Sequence, residues 1–282
     1  MNFKYYFFAL AMTCATVLTS CEKKSASSTS EEPTPSARIV AKPDSVYKYK
    51  IVADESEILN QIFYYAYDAA GNMTCQWDTV IGKSNYIVDR IEMEYNSQNL
   101  MTEKREYTFY YQEGYGNYPA ESRWENCFCR QYSYDSLNRL SVYYVYEFFT
   151  EPVTGQPGQK IVYSWMDDLH AESIQYNYMG SWVPSFRTEY TYNERGDVEK
   201  YVIYSLNWDD PSIERYMFTD ECTFDQYGNL VSFERRDPDD VLMNSDYYKY
   251  DYDADGKILV KWYSSDRDAE KRTYTEKYVY YY

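Results

Sequence analysis

Tyr65-Ala66-Tyr67-Asp68-Ala69-Ala70-Gly71-Asn72-Met73 reads as aromatic, any residue, aromatic, Asp or Asn, two residues, Gly or Asn, a polar residue and an aliphatic one. The pattern returns as MEYNSQNLM (93–101), YSYDSLNRL (132–140), YTYNERGDV (190–198), CTFDQYGNL (222–230) and YDYDADGKI (250–258), with a decayed copy at Tyr163-Ser164-Trp165-Met166-Asp167-Asp168. The mean spacing is about 31 residues, within the range of repeat architectures. Its chemistry is that of a hairpin turn. Asp or Asn at the first turn position can accept a hydrogen bond from its own backbone two residues on. Gly or Asn at the fourth accepts a positive φ, as a type I turn with a G1 bulge requires. In the first copy this predicts that Asp68 faces Asn72, Tyr67 faces Met73 and Tyr65 faces Cys75.

Carried outward without interruption, the register places Phe63, Tyr65, Tyr67, Met73, Cys75 and Trp77 on one face. The same face takes Phe128, Tyr132, Tyr134, Leu140, Val142, Tyr144 and Tyr146 in the third copy, and Tyr248, Tyr250, Tyr252, Ile258, Val260 and Trp262 in the last. The other face is mostly polar, with Ala66, Thr74, Gln76 and Asp78 in the first copy. The second copy is weaker, with Glu103 and Arg105 on the aromatic side. One face is therefore core and the other meets water. The expected fold is all-β, an antiparallel meander of about 14 strands made of hairpin repeats. A one-sided sheet must cover its apolar face, so it curls or closes into a barrel-like form, with a two-layer sandwich as the alternative.

These copies resemble the YD-repeat (Rhs-like) sequences, marked by YDxxGN/R and an aliphatic residue and carried by many Bacteroidetes cell-envelope lipoproteins. The resemblance covers roughly residues 58–282 through short motifs. It implies β-strips that curl into spirals or shells. The period here is longer, and Asn99 and Asn138 stand where the family has Gly.

The chain begins with a segment of another kind. Lys4 precedes the apolar run Tyr5–Val17, and Leu18-Thr19-Ser20-Cys21 follows. This resembles a lipoprotein signal peptide (1–20) with lipid attached at Cys21, which implies a membrane anchor in the cell envelope, on the outer membrane. Residues 21–44 are rich in Ser, Thr, Glu and Pro and read as a flexible tether, leaving 45–282 as the β-repeat domain. A net charge of −17 disfavours nucleic acid as a partner. Polar residues opposite the aromatic face leave no lipid-facing band for a transmembrane barrel.

Little in the sequence suggests catalysis, and no cofactor is expected. His170 is the only histidine. Cys75, Cys127, Cys129 and Cys222 read as thiols, with a disulfide or metal site as alternatives. Asp251, Asp253 and Asp255 match the start of a calcium loop, but Trp262 stands where the bidentate Glu belongs. Acid pairs beside tryptophans offer the best ligand candidates: Trp165 with Asp167 and Asp168, Trp182, and Trp208 with Asp209 and Asp210. A third pair is Asp239-Asp240. Aromatic platforms next to carboxylates suit a sugar, and paired carboxylates could also hydrolyse one. Solvated turn residues are the plain alternative. The resulting expectation is a non-catalytic envelope lipoprotein whose repeat scaffold binds a glycan or a partner envelope protein. A carboxylate-dependent glycan hydrolase and a purely structural accessory are its rivals.

Overall fold

The computed structural model describes residues 42–52, 56–81, 87–112, 121–147, 153, 155–265 and 274–282. The expected signal peptide, Cys21 and the expected tether as far as residue 41 lie outside these. The described strands are β1 (Ser45–Ile51), β2 (Glu57–Tyr67), β3 (Met73–Val80), β4 (Ile87–Tyr95), β5 (Met101–Gln112), β6 (Glu121–Tyr134), β7 (Leu140–Glu147) and β8 (Gln159–Trp165). They continue as β9 (His170–Tyr178), β10 (Trp182–Tyr192), β11 (Val198–Leu206), β12 (Glu214–Phe224), β13 (Leu230–Arg236), β14 (Leu242–Tyr252), β15 (Ile258–Ser264) and β16 (Glu276–Tyr281). Each pairs antiparallel with its sequence neighbours, and β16 pairs with β1 from Ser45↔Tyr281 to Lys50↔Glu276, closing the meander into a barrel.

The barrel-like expectation holds, with two more strands than the seven hairpins supply. β1 and β16 carry no turn motif because no turn joins them; they are the chain's two flanks, meeting at the seam. All seven hairpin turns lie at one rim. β1 starts and β16 ends at that same rim, where Asp44 N–H donates to the Tyr281 carbonyl at 2.8 Å. The longer connections form the opposite rim.

The turns follow the predicted chemistry. Asp68 N–H donates to the Asn72 carbonyl and Gly71 N–H to the Asp68 carbonyl, both at 2.9 Å, and the side chain of Asp68 accepts from Asn72 N–H at 2.8 Å. The fourth position has positive φ in six copies: Gly71, Asn99, Asn138, Gly196, Gly228 and Gly256. The decayed copy turns differently. Asp167 accepts from the N–H groups of Leu169 and His170, and Trp165 pairs with Ala171.

Beyond the turn, the structure corrects the register. Tyr67 faces Met73 as expected, but Ala66 then faces Cys75 and Tyr65 faces Gln76, so Thr74 is an extra residue in the ladder. The same bulge recurs at Thr102, Ser141, Glu199, Val231 and Leu259 in the other five motif hairpins. One added residue reverses every later side chain. Cys75, Trp77, Val142, Tyr144, Tyr146, Val260 and Trp262 therefore leave the aromatic face. Gln76, Asp78, Tyr143, Lys261 and Tyr263 join it. Glu103 and Arg105 likewise move to the other wall, and Lys104 and Glu106 replace them.

The face that holds Met93, Met101, Tyr132, Leu140, Ala171, Tyr190, Tyr192, Val198 and Tyr201 is the buried inner wall. Its tyrosines touch in a row. Tyr132–Tyr143, Tyr143–Tyr163, Tyr163–Tyr190 and Tyr190–Tyr201 have ring centroids 5.5, 6.4, 5.7 and 6.2 Å apart. Small residues on β9 make this possible, since Tyr163 meets Tyr190, and Trp165 stacks on Tyr192 at 5.1 Å, across Ala171 and Ser173.

A second interaction joins the repeats. Tyr95 Oη donates to the Met73 carbonyl (2.9 Å), Tyr134 Oη to Met101 (2.8 Å), Trp165 Nε1 to Leu140 (2.8 Å), Tyr250 Oη to Leu230 (2.9 Å) and Tyr282 Oη to Ile258 (2.9 Å). Each acceptor is the aliphatic motif residue of the preceding hairpin, immediately before the bulge, where the ladder is interrupted.

Two tests follow from this architecture. Gly196 sits at φ +85 with nothing within 4 Å of an added Cβ. Gly196→Val therefore isolates backbone strain, and urea unfolding should show a loss of ~1 kcal/mol or more. Gly196→Asn should lose much less, and an unchanged midpoint for the Val variant would refute the turn. Burial raises the hydroxyls of Tyr65, Tyr132 and Tyr250, and pushes those of Tyr67 and Tyr263 up to about 12. A group with its folded pKa above the unfolded value of about 10 stabilises fully below that value. The contribution is lost as pH rises through about 12. Phenolate absorbance should lag behind free tyrosine and appear together with unfolding; titration near the ordinary value with the fold intact would contradict a buried tyrosine wall.

Candidate functional site

The acid pairs singled out in the sequence fall at opposite ends of the barrel. Trp165, Asp167 and Asp168 are at the turn rim. Trp182, Trp208, Asp209 and Asp210 are at the loop rim, so the seven do not form one site. Trp165 is committed to Leu140 and Tyr192, with the Arg139 guanidinium 5.3 Å above its ring. Asp167 binds its own turn and the His170 ring at 2.9 Å, and these hydrogen bonds hold its carboxyl below the usual range. Asp168 lies 3.8 Å from Arg139.

At the loop rim, Trp182 is half-buried, edge-on to Tyr178 at 5.4 Å and covered by Lys160 at 4.9 Å. Asp210 accepts from Ser212 Oγ at 2.6 Å and from Ser212 N–H at 3.1 Å, which lowers its pKa. Asp209 N–H donates to Asn207 at 2.9 Å. Trp208 is 54% exposed. It lies on the loop between β11 and β12.

Those two strands, with β13, carry a groove of about 530 Å³ on the outer wall, lined by Lys200, Tyr216, Thr219, Glu221, Arg236, Asp237, Pro238 and Asp240. Alternation brings Lys200, Thr219, Glu221 and Arg236 to the wall from paired positions, Lys200↔Glu221 and Thr219↔Arg236. Lys200 Nζ sits 3.1 Å from Glu221, Tyr216 Oη 2.7 Å from Thr219 Oγ1, and Arg236 donates to Glu234 at 2.8 Å. The Lys200 and Glu221 side chains are 46% and 49% exposed, so their remaining hydrogen-bonding capacity faces solvent.

One wall of the groove is a turn that contains the third acid pair, Asp239-Asp240. Asp237 N–H donates to the Val241 carbonyl, Asp240 N–H to the Asp237 carbonyl, and the Asp237 carboxylate accepts from Asp239 and Val241. Asp240 stands at φ 63, and a bulge at Met243 follows. It is the motif turn used at the opposite rim. Its signal was the Asp-x-x-Asp spacing, obscured because no aromatic pair precedes it.

The inner wall carries polar groups that sequence reading also missed. Arg235 makes a bidentate pair with Asp220 at 2.7 and 2.6 Å, and Asp220 is fully buried. Burial raises the Asp220 carboxyl, against the opposing pull of Arg235 and Tyr201. Glu106 lies between Lys104, at 2.9 Å, and Arg130. Burial works against its charge, and the two cations hold its pKa down.

The calcium candidate resolves into separate contacts. Asp253 caps its own turn by accepting from Asp255 and Lys257 N–H, and Asp251 accepts from Trp262 Nε1 at 3.3 Å. Among the described residues no group of three or more His, Cys, Asp or Glu could hold a metal. Cys75, Cys127, Cys129 and Cys222 are free, and burial pushes the Cys129 and Cys222 thiols up to about 12. Cys127 is the extra residue of a bulge between Phe128↔Glu106 and Asn126↔Tyr107.

No protein-family model matches the chain, and no curated protein is similar to it in sequence. Among solved structures, the chain is similar to a porin-like protein from Bacteroides vulgatus (10% identity, 86% of this chain and 98% of that one, TM-score 0.40). Another is a porin-like protein from Bacteroides uniformis (9%, 85% and 97%, TM-score 0.37). A third is a chain of the Photorhabdus luminescens Tc holotoxin pore (13%, 79% of this chain and 12% of that one, TM-score 0.29).

Proposed function

We propose that the protein is a non-catalytic, lipid-anchored envelope scaffold that binds glycan in the groove between β11 and β13. The observation that carries this reading is the groove itself. It sets an ammonium, a guanidinium, carboxylates and hydroxyls around Tyr216, next to the loop that bears exposed Trp208. Sugars offer many hydroxyls and an apolar ring face, and such a lining supplies donors, acceptors and aromatic surface to match. One acid of each pair, Asp167 and Asp210, accepts hydrogen bonds within its own turn, and these lower its pKa. Both carboxylates suit hydrogen-bond acceptance better than proton donation.

Barrel geometry supports the anchor. β1 starts at the turn rim, so a tether from Cys21 reaches the barrel there and the loop rim points away from the membrane. The outer wall carries charge on strand after strand: Glu92, Arg105, Lys160, Arg187, Glu221 and Lys249. A lipid-facing midplane would make each unfavourable by about 2–4 kcal/mol for the basic ones. The barrel therefore belongs in water, held by lipid at one end.

Purified residues 42–282 should bind one glycan class on an array. Trp208→Ala and Arg236→Ala should each weaken binding roughly tenfold, ~1.4 kcal/mol, while Lys277→Ala, on β16, should not. Binding untouched by the first two variants would dismiss the groove, and an array without any signal would dismiss the glycan. Cys21→Ser should move the protein from the detergent phase to the aqueous phase in a partition assay, and its retention with detergent would count against the anchor.

A further inference from the structure

We propose that the outer wall of β7 to β10 holds a second sugar subsite, selective for acidic sugars, in which Trp182, Tyr144 and Tyr176 carry a uronate ring and Lys160 binds its carboxylate. Ladder pairing sets Tyr144, Lys160, Tyr176 and Pro184 in one row across four strands, through Tyr144↔Lys160, Lys160↔Tyr176 and Tyr176↔Pro184. Trp182 lies two residues before Pro184, on the same face and opposite Tyr178. Its indole reaches back over the wall. The ring centroid is 4.9 Å from Lys160 Nζ, on β8, and 6.5 Å from the Tyr144 ring, on β7. Two strand spacings, roughly 10 Å, separate β10 from β8, so the indole extends across β9 instead of standing off the sheet.

Alternation turns these rings to the outside of the barrel, away from the tyrosine wall of the interior. Tyr144, Tyr176 and Trp182 are half-buried and Tyr178 is 40% exposed, so aromatic surface stands open to a ligand. Lys160 gives that surface a charge preference. Its Nζ is also 4.7 Å from the Tyr176 centroid. It makes no ion pair among the described residues, in a chain of 45 acidic against 28 basic side chains. The acid of β9 on the same face, Glu172, is taken by Arg187 at 3.2 Å. Aromatic faces attract an ammonium but leave its charge uncancelled.

A hexuronate meets both halves of the arrangement. The C–H face of its ring lies on aromatic surface, and its carboxylate accepts a charge-assisted hydrogen bond from the ammonium. A neutral sugar offers only the first and an acidic peptide only the second. The platform shares no residue with the groove between β11 and β13, and neither site needs the other.

The test is calorimetric titration of the purified full chain with trimers of galacturonate and of glucuronate, each as free acid and as methyl ester, at about pH 7, where the acids are ionised. At least one free acid should bind roughly tenfold more tightly than its ester, and added salt should narrow the difference. Lys160→Met should erase the preference and Lys160→Arg keep it, while Trp182→Ala should weaken both forms. Arg236→Ala, in the groove, should leave the preference unchanged, which separates this site from that one. Equal binding of acid and ester, no binding of any of the trimers, or a preference that survives Lys160→Met would overturn the proposal. So would a poly(glutamate) peptide held as tightly as the acidic sugar, since charge alone would then suffice. The acid-against-ester comparison uses the unaltered chain, so it decides the matter even where a variant fails to fold.

Discussion

A backbone carbonyl at a bulge needs a donor, and an aromatic residue of the following hairpin, or Tyr282 just past β16 after the last hairpin, supplies it. Five such contacts recur, at Met73, Met101, Leu140, Leu230 and Ile258. Each is worth about 0.5–1.5 kcal/mol net, so together they are comparable with much of a domain's stability of roughly 5–15 kcal/mol. The donor must have a large apolar ring for the inner wall and a polar tip for the carbonyl. Tyrosine meets both demands and makes four of the five contacts, at Tyr95, Tyr134, Tyr250 and Tyr282. Tryptophan also serves, at Trp165. Phenylalanine, which stands at the motif position as Phe224, has no polar tip to donate.

The bulge that creates the need for a donor also bends the sheet. An extra residue increases local twist and coils the strand, and here six such bends lie along one rim. Repeated curvature in one sense brings the first strand to the last. Closure then removes the exposed edges that β1 and β16 would otherwise present for aggregation. Every strand approaches only its barrel neighbours within 8 Å between Cα atoms. Hairpin-by-hairpin addition is thus sufficient to build the molecule, and size is set by the number of copies.

The turns were legible because Asp or Asn followed by Gly or Asn at a fixed offset has few structural solutions. The bulge was not, since its extra residue is Thr, Ser, Glu, Val or Leu, with no common side chain. A partial signal was there: the hydroxyls of Thr74, Thr102 and Ser141 each donate to the carbonyl of the residue across the ladder, Ala66, Glu94 and Ser133. Hydroxyl residues at that offset in three copies could have marked the step. The candidate groove was illegible for a different reason. Lys200, Tyr216 and Arg236 lie on three strands, and only the corrected alternation and the Asp237–Asp240 turn bring them to one wall.

The bulge also decides which charges are enclosed. An unbroken register would have turned the charges of β5 and β15 differently; the added residue brings Lys104, Glu106 and Lys261 inward. Glu106 is answered by Lys104 and Arg130, Asp220 by Arg235, and Lys48 by Glu276. Removing Arg235 from the buried Asp220 would destabilise by about 3–5 kcal/mol, while the partly exposed pairs contribute less. Lys261 makes no ion pair among the described residues, and its Nζ packs over the rings of Tyr278 and Tyr248. A cation–π contact contributes about 0.5–2 kcal/mol, too little to offset removing an ammonium from water.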